Sequence, residues 1–336
     1  MPSTTRQVIL KRRPVGEPKE TDFEIVERPR PAPADGQVLC RTVWLSLDPY
    51  MRGRMSEGPS YAAPVPLGGV MCGGTVSCVV ESKSPALAAG DFVLGYDGWQ
   101  EWAVADAAGL RKLDPAAAPL SYALGVLGMP GMTAYVALLT IGRPIEGETV
   151  VVSAAAGAVG SVAGQIAKIR GCRTVGVAGS DAKCEFVTKE LGLDACINYK
   201  TQPVRRALKK ACPAGIDVYV ENVGGPVFEA VLYNLAQGAR IPLVGLISQY
   251  NATEWPTGPS LLPILVKRAT IQGMIVGDHM DRQADFRRDV GDWLREGRIK
   301  YRETVVEGLE NAPRAFIGLF HGENIGKLLV KVGEEG

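Results

Sequence analysis

The sequence predicts an α/β protein of two domains: a β-barrel domain and a Rossmann-like, doubly wound parallel sheet. Three observations carry that prediction. The chain has 336 residues, 46% of them hydrophobic, which is enough for two cores. Residues 1 to about 125 read as short apolar runs between Gly- and Pro-rich turns, the pattern of a small all-β domain. From Ser121 onward, strands alternate with helical segments, as in a parallel sheet with crossover helices.

In the first domain, Val8-Ile9-Leu10 and Phe23-Glu24-Ile25-Val26 are short apolar runs, and residues 37–45 alternate well. The prolines of Glu27-Arg28-Pro29-Arg30-Pro31 forbid a central strand, and its arginines suit a solvated turn. Glycines punctuate the runs 68–71, 73–81 and 90–95. Residues 122–139 have helical spacing, interrupted by Met129-Pro130-Gly131, and mark the crossing into the second domain. Strands are expected there at 149–153, 173–178, 195–199, 216–221, 239–246 and 269–276, and a further helix at 281–296. Short elements at 301–306, 312–320 and 327–332 are expected to rejoin the first domain. The expected boundaries are 1–125 with 302–336 for the barrel domain and 126–301 for the nucleotide domain.

The stretch 149–180 is the most informative. A strand of Val, Thr and Ser leads into Ala154-Ala155-Ala156-Gly157-Ala158-Val159-Gly160, then a helix to Arg170 and a second β-branched strand. This is the opening unit of a dinucleotide-binding fold. Where G-x-G-x-x-G expects its first glycine the chain has Ala155, but Gly157 and Gly160 remain. Gly157 would admit the pyrophosphate close to the backbone, and Gly160 would let the helix pack on the sheet. The helix N-terminus supplies N–H groups and the positive end of a dipole.

The second strand ends Ala178-Gly179-Ser180, without the Asp or Glu that holds a ribose 2′-hydroxyl in an NAD site. Asp181 comes one step late, at an expected helix N-cap, and Lys183 follows. A small residue, a hydroxyl and a cation suit a 2′-phosphate. A capping aspartate beside a solvated lysine has the same sequence.

Lys and Arg total 37 against 36 Asp and Glu, so the net charge of +1 gives no nucleic-acid or membrane footprint. No apolar run reaches the length of a membrane span, and the N-terminus lacks the apolar core of a secretory signal. The seven cysteines are odd in number and scattered, with no C-x-x-C pair, so reduced thiols and a cytoplasmic location are expected.

Several longer stretches carry a resemblance. They are residues 45–55 (Leu-Ser-Leu-Asp-Pro-Tyr-Met-Arg-Gly-Arg-Met), 128–135 (Gly-Met-Pro-Gly-Met-Thr-Ala-Tyr), Glu221-Asn222-Val223-Gly224-Gly225, Ile247-Ser248-Gln249-Tyr250-Asn251 and residues 322–327. With them, nearly end to end, the chain resembles the medium-chain dehydrogenase/reductase superfamily. Within it, the chain is similar to the zinc-free double-bond reductases: prostaglandin reductases, plant alkenal reductases and bacterial curcumin reductases. The resemblance implies a GroES-like barrel built from both chain ends, a Rossmann domain between, NADPH as cofactor and a homodimer. It implies no nucleic-acid or membrane partner. The family's turn is commonly A-x-x-G-x-x-G, which Ala154, Gly157 and Gly160 satisfy.

By the same resemblance Ala156, Gly157, Ala158, Val159 and Gly160 would lie under the pyrophosphate, and Lys183 and Tyr199 would hold the 2′-phosphate beside Gly179. Asn222, Ile247, Ile275 and Asn324 would line the rest of the groove. Met129, Thr133, Val244, Leu246, Ser248, Val276 and Gly326 would complete it. Zinc-dependent relatives need a catalytic Cys/His/Glu set and a four-cysteine lobe. This chain has only His279 and His321, and its cysteines lack the lobe spacing, so no metal is expected.

A hydride transfer without a metal suits conjugate addition. Charge then spreads into an enolate, which a hydroxyl can stabilise. Tyr250 is the first candidate for that hydroxyl, either by bonding the enolate or by positioning the ribose and relaying a proton. Tyr50 is second, with Tyr61, Tyr96 and Ile275 as further substrate-binding candidates. Either tyrosine could instead simply pack. Arg52 and Arg54 are expected as exposed loop arginines, and His279 as a solvated loop residue beside Asp278 and Asp281. The expected substrates are α,β-unsaturated ketones and aldehydes, from curcumin-like enones and alkenals to 15-oxo-prostaglandin-like ketones. A quinone reductase on the same scaffold and a non-catalytic NADPH-binding protein stay open as alternatives.

Overall fold

The structure, a computed structural model, describes residues 3–254 and 256–335. The extreme chain ends assigned to the barrel domain (1–2 and 336) and Trp255 lie outside the described residues. The chain divides into two compact units. One comprises residues 1–124, 303–324 and 328–336, and the other 125–302 and 325–327.

The first unit is antiparallel. β1 (Thr4–Leu10) and β2 (Phe23–Pro29) form a two-stranded ribbon, with Thr4 opposite Pro29. Pro29 thus sits at the end of an edge strand, where its missing N–H costs no ladder bond. β3 (Gln37–Ser46) is ten residues long, mostly buried, and the hub of the second sheet. It is followed by a short helix α1 (Met51–Arg54), β4 (Thr75–Ser82), β5 (Phe92–Gly95), β6 (Trp102–Asp106) and β7 (Arg111–Leu113). β4 and β6 both pair with β3, and β5 joins β4 to β7.

The second unit begins with α2 (Met129–Val136), whose first turn contains Pro130. Met129-Pro130-Gly131 therefore starts a helix instead of interrupting one, because proline fits the first turn, where its N–H is not needed. The sheet strands are β8 (Thr149–Ser153), β9 (Arg173–Ala178), β10 (Ala195–Asn198), β11 (Ile216–Val220), β12 (Leu235–Leu243) and β13 (Thr270–Gly273). The helices among them are α3 (Ala158–Ile169), α4 (Asp181–Glu185), α5 (Val204–Ala211), α6 (Gly225–Leu232) and α7 (Leu262–Lys267). α8 (Gln283–Arg295) follows. All six strands are parallel, in the order β10-β9-β8-β11-β12-β13. Strand order reverses between β8 and β11, and ligands of such sheets bind outside the carboxyl ends at that point.

β12 starts four residues before the expected Ala239 and stops at Leu243, short of residue 246. The last ladder bond runs from the Val244 N–H to the Glu221 carbonyl at 2.9 Å and closes the Glu221–Leu243 bridge; beyond it the N–H groups of Ile247 and Ser248 turn to the Asn222 and Val223 carbonyls, at 3.2 and 3.0 Å. β13 likewise ends at Gly273, and a 3-10 turn runs from Val276 to Arg282 before α8.

The tail returns to the first unit. β14 (Glu303–Glu307), α9 (Ala312–His321) and β15 (Lys327–Lys331) follow, and β15 pairs antiparallel with β3. Phe316 of α9 packs on Trp99 and Phe23, with ring centroids 5.6 and 6.3 Å away, in the core of this unit. That burial holds the last helix against sequence lying nearly 300 residues earlier.

Candidate nucleotide site and candidate active site

β8 is buried at all five positions, so its side chains fix where the following turn emerges. Ala154 takes a left-handed conformation (φ 49°) there. That costs a non-glycine residue about 1 kcal/mol, least for a small side chain. Gly157 donates its N–H to the Ala154 carbonyl at 2.9 Å and precedes α3. No side chain caps α3, and its first turn holds no acid, so its terminal N–H groups and dipole suit an anion. A Cβ on Gly160 would lie 2.3 Å from the Ala154 carbonyl oxygen, so only glycine lets the helix approach the turn this closely. Gly326 closes the far side: its N–H donates to the Ala156 carbonyl at 2.7 Å.

β9 delivers Ala178 to the sheet's carboxyl edge, and Tyr199, just past β10, donates its N–H to the Ala178 carbonyl at 3.0 Å. The Tyr199 hydroxyl sits 3.0 Å from where a Gly179 Cβ would be, so residue 179 must be small for this tyrosine to lie there. The N-cap of α4 is Ser180, not the expected Asp181: its hydroxyl accepts the Lys183 N–H at 3.3 Å. Asp181 instead accepts a hydrogen bond from the Asn198 amide at 2.7 Å, which turns the nearby carboxylate toward β10. Lys183 is half-buried, and burial together with the neighbouring Lys200 lowers its ammonium pKa. An anion between the two lysines would relieve that repulsion. Lys200 was absent from the sequence reading; its signal is its place directly after Tyr199.

Beyond β11, Asn222 donates its side-chain amide to the Ser153 carbonyl at 2.8 Å. Val244, Leu246, Ile247 and Ser248 lie past the end of β12, and Ile275 and Val276 past the end of β13, all at the carboxyl edge. The Tyr250 hydroxyl accepts the Leu246 N–H at 3.4 Å, and burial raises its pKa. It therefore keeps its proton at neutral pH. Thr133 in α2 donates its hydroxyl to the Met129 carbonyl at 2.8 Å, and Met129 is exposed.

In the first unit the structure brings Tyr50 and Tyr96 together through a hydrogen bond between their hydroxyls. Burial, then the nearby Asp48, pushes the Tyr50 pKa well up. Arg54 lies over the rings of Tyr61 and Tyr50, 5.1 and 6.0 Å from their centroids. Arg52 is not the expected exposed loop arginine. It is 5% exposed and donates to the Gly16 carbonyl at 2.8 Å and the Ser56 hydroxyl at 2.7 Å, so it ties the chain together. Asn324 belongs to this unit, whereas Gly326 belongs to the other. Among the described residues no group of three or more His, Cys, Asp and Glu side chains could hold a metal ion.

Comparison with known proteins adds the following. Residues 6–113 match the N-terminal domain of oxidoreductase, and residues 158–296 match the family described as zinc-binding dehydrogenase. The chain is 53% identical to the NADPH-dependent curcumin reductase of Escherichia coli K12, over 97% of this chain and 96% of that one. It is 41% identical to the NADP-dependent 2-alkenal reductase of Nicotiana tabacum, over 99% of this chain and 98% of that one. Among solved structures, Vibrio vulnificus CurA in complex with NADPH superposes with a TM-score of 0.94 at 50% identity, covering 98% of this chain and 99% of that one.

Proposed function

The chain belongs to the medium-chain dehydrogenase/reductase superfamily, in the family of the curcumin and alkenal reductases, and we propose that it reduces the C=C bond of α,β-unsaturated ketones and aldehydes with NADPH. The observation that carries this reading is a glycine turn before the uncapped N-terminus of α3, with Lys183 and its neighbour Lys200 near the end of β9 and Asp181 turned to Asn198. These residues fit NADPH: Gly157 to Gly160 for the pyrophosphate, and Ser180, Lys183, Tyr199 and Lys200 for the 2′-phosphate. The other residues of the second unit proposed to contact NADPH are Met129, Thr133, Gly179, Asn222, Val244, Leu246 to Ser248, Ile275, Val276 and Gly326.

When bound, NADPH supplies a hydride for the β-carbon of the enone. Tyr250 donates a hydrogen bond to the substrate oxygen as its charge grows, and its raised pKa keeps the proton available. Protonation at the α-carbon completes the reduction. A saturated ketone would put full charge on one oxygen. A lone buried tyrosine serves that charge less well than the spread charge of an enolate. The reaction is proposed to run without zinc, since the sequence lacks the catalytic Cys/His/Glu set and the four-cysteine lobe spacing of zinc-dependent relatives. Tyr50, Tyr61, Tyr96 and Ile275 are proposed to contact substrate; the Tyr50–Tyr96 pair and the Arg54 cation favour a flat, conjugated ligand.

A homodimer is proposed through the nucleotide unit. β13 is an edge strand, and Leu261, Leu262, Leu265 and Val266 around α7 are all more than half exposed. Among the described residues no helix is long and apolar enough to cross a membrane. A cytoplasmic location is proposed, supported by seven free cysteines.

The test is NADPH oxidation with an alkyl enone, curcumin, a simple saturated ketone and a quinone, side by side. Turnover of the enones and not of the saturated ketone is expected. NADPH binding with no enone turnover would refute the proposal.

A further inference from the structure

The carboxyl ends of β8, β11 and β12 meet at a carboxylate that the proposed chemistry does not use. Glu221 follows β11 directly and is fully buried. Its Oε1 accepts the N–H of Val223 at 2.6 Å and of Gly224 at 3.0 Å. The Ser153 hydroxyl, at the end of β8, lies 3.1 Å from the same oxygen. Ser153 also accepts the Asn222 N–H at 2.9 Å, so one hydroxyl and one carboxylate fix residues 222–224.

The network continues toward Tyr250. The Asn222 carbonyl accepts the Ile247 N–H at 3.2 Å, and the Val223 carbonyl accepts the N–H and hydroxyl of Ser248 at 3.0 and 2.6 Å. Leu246 then donates to the Tyr250 hydroxyl. Gly224 and Gly225 have positive φ, 80° and 58°, so the loop itself has little intrinsic preference for this shape. Burying an ionisable group is costly, and burial pushes the Glu221 carboxyl up while the two N–H donors pull it back. The Glu221 Oε2 and the Tyr219 hydroxyl are both buried, and neither has a well-formed hydrogen bond among the described residues.

We infer that Glu221 is a positioning residue for the nicotinamide half of the cofactor. Its carboxylate holds the 222–224 loop, and through it the 244–250 turn, in the form that receives the nicotinamide ribose. This rests on the NADPH reading. In a sheet of this order β8, β9 and β10 serve the adenosine end, and β11, β12 and β13 the nicotinamide end. Glu221 thus acts on one half of the ligand only, which separates positioning from general stabilisation.

The experiment is calorimetric binding of NADPH and of 2′,5′-ADP, the adenine end alone, to wild type and to Glu221→Ala, Glu221→Asp and Glu221→Gln. In Glu221→Ala two loop N–H groups lose their acceptor. NADPH is expected to weaken about tenfold or more, with 2′,5′-ADP unchanged to within about twofold. Glu221→Asp is one methylene short of both N–H groups and is expected to share that loss, which covers the case in which the alanine variant does not fold. Glu221→Gln keeps the acceptor and sets an amide toward Tyr219, so NADPH binding returns to within about threefold of wild type. Equal weakening of both ligands, undiminished NADPH binding in the shortened variants, or no rescue by glutamine would overturn the inference. Wild-type protein that bound neither ligand would overturn the cofactor reading instead.

Discussion

The turn at the start of α3 makes two glycines three positions apart, Gly157 and Gly160, separable by experiment. A Cβ on Gly160 would lie 2.3 Å from the Ala154 carbonyl oxygen and 2.9 Å from two further backbone atoms, none of which can rotate away. Ordinary contact requires the helix start to move by about 1 Å, and overpacking of this kind costs about 1–3 kcal/mol. Gly157 is different. Its Cβ would meet only the same carbonyl, at 3.2 Å, which a small backbone adjustment absorbs. Gly160→Ala should therefore lower the melting temperature of the ligand-free protein clearly. Gly157→Ala should leave it nearly unchanged yet weaken NADPH about tenfold, because its methyl would stand where the pyrophosphate approaches. Thermal unfolding without ligand and fluorescence titration with NADPH measure the two effects. A Gly157→Ala protein that bound NADPH normally would refute the placement of the phosphates. A Gly160→Ala protein as stable as wild type would refute the packing argument.

Two more predictions concern the ends of the cofactor. Lys183→Ala should weaken NADPH about 10- to 100-fold and NADH little, as for loss of a charge-assisted contact, with Lys200→Ala acting in the same direction; equal loss for both nucleotides in titrations would contradict the 2′-phosphate assignment. Tyr250→Phe should lower enone turnover by about 10²-fold with NADPH affinity unchanged. Since burial raises the Tyr250 pKa, its hydroxyl stays protonated past the ordinary tyrosine range, so the tyrosine-dependent alkaline fall in kcat should come above about pH 10; a fall at lower pH that vanishes in Tyr250→Phe would contradict that state.

Central buried strands were the most legible part of the chain. β8 and β9 run over 149–153 and 173–178 as expected: β8 is Thr-Val-Val-Val-Ser, β9 carries Thr and two Val, and both are buried along nearly their whole length. β12 was misread at both ends. Its first half, Leu-Ala-Gln-Gly, has weak strand character, and past Leu243 the chain turns so that Ile247 and Ser248 bond the Asn222 and Val223 carbonyls, which lie beyond the end of another strand. The same limit applies to the site. The phosphate turn follows local glycine chemistry and is readable, whereas the capping role of Ser180 depends on Asp181 finding Asn198, 17 residues on. Arg52 reads as a loop arginine until the carbonyls of Pro14 and Gly16 close around it. Glu221 is the clearest case: the sequence places it at the end of the strand 216–221 and gives it no partner, and only the fold shows it buried against Ser153 and the 223–224 backbone.

The most direct test of the central claim is to follow the hydride. NADPH deuterated at the transferring position would be incubated with the protein and an alkyl enone, and the product read by NMR. Deuterium on the β-carbon of a saturated ketone is the predicted result. Deuterium on the carbinol carbon of an allylic alcohol would mean reduction of the carbonyl itself, and would contradict the account.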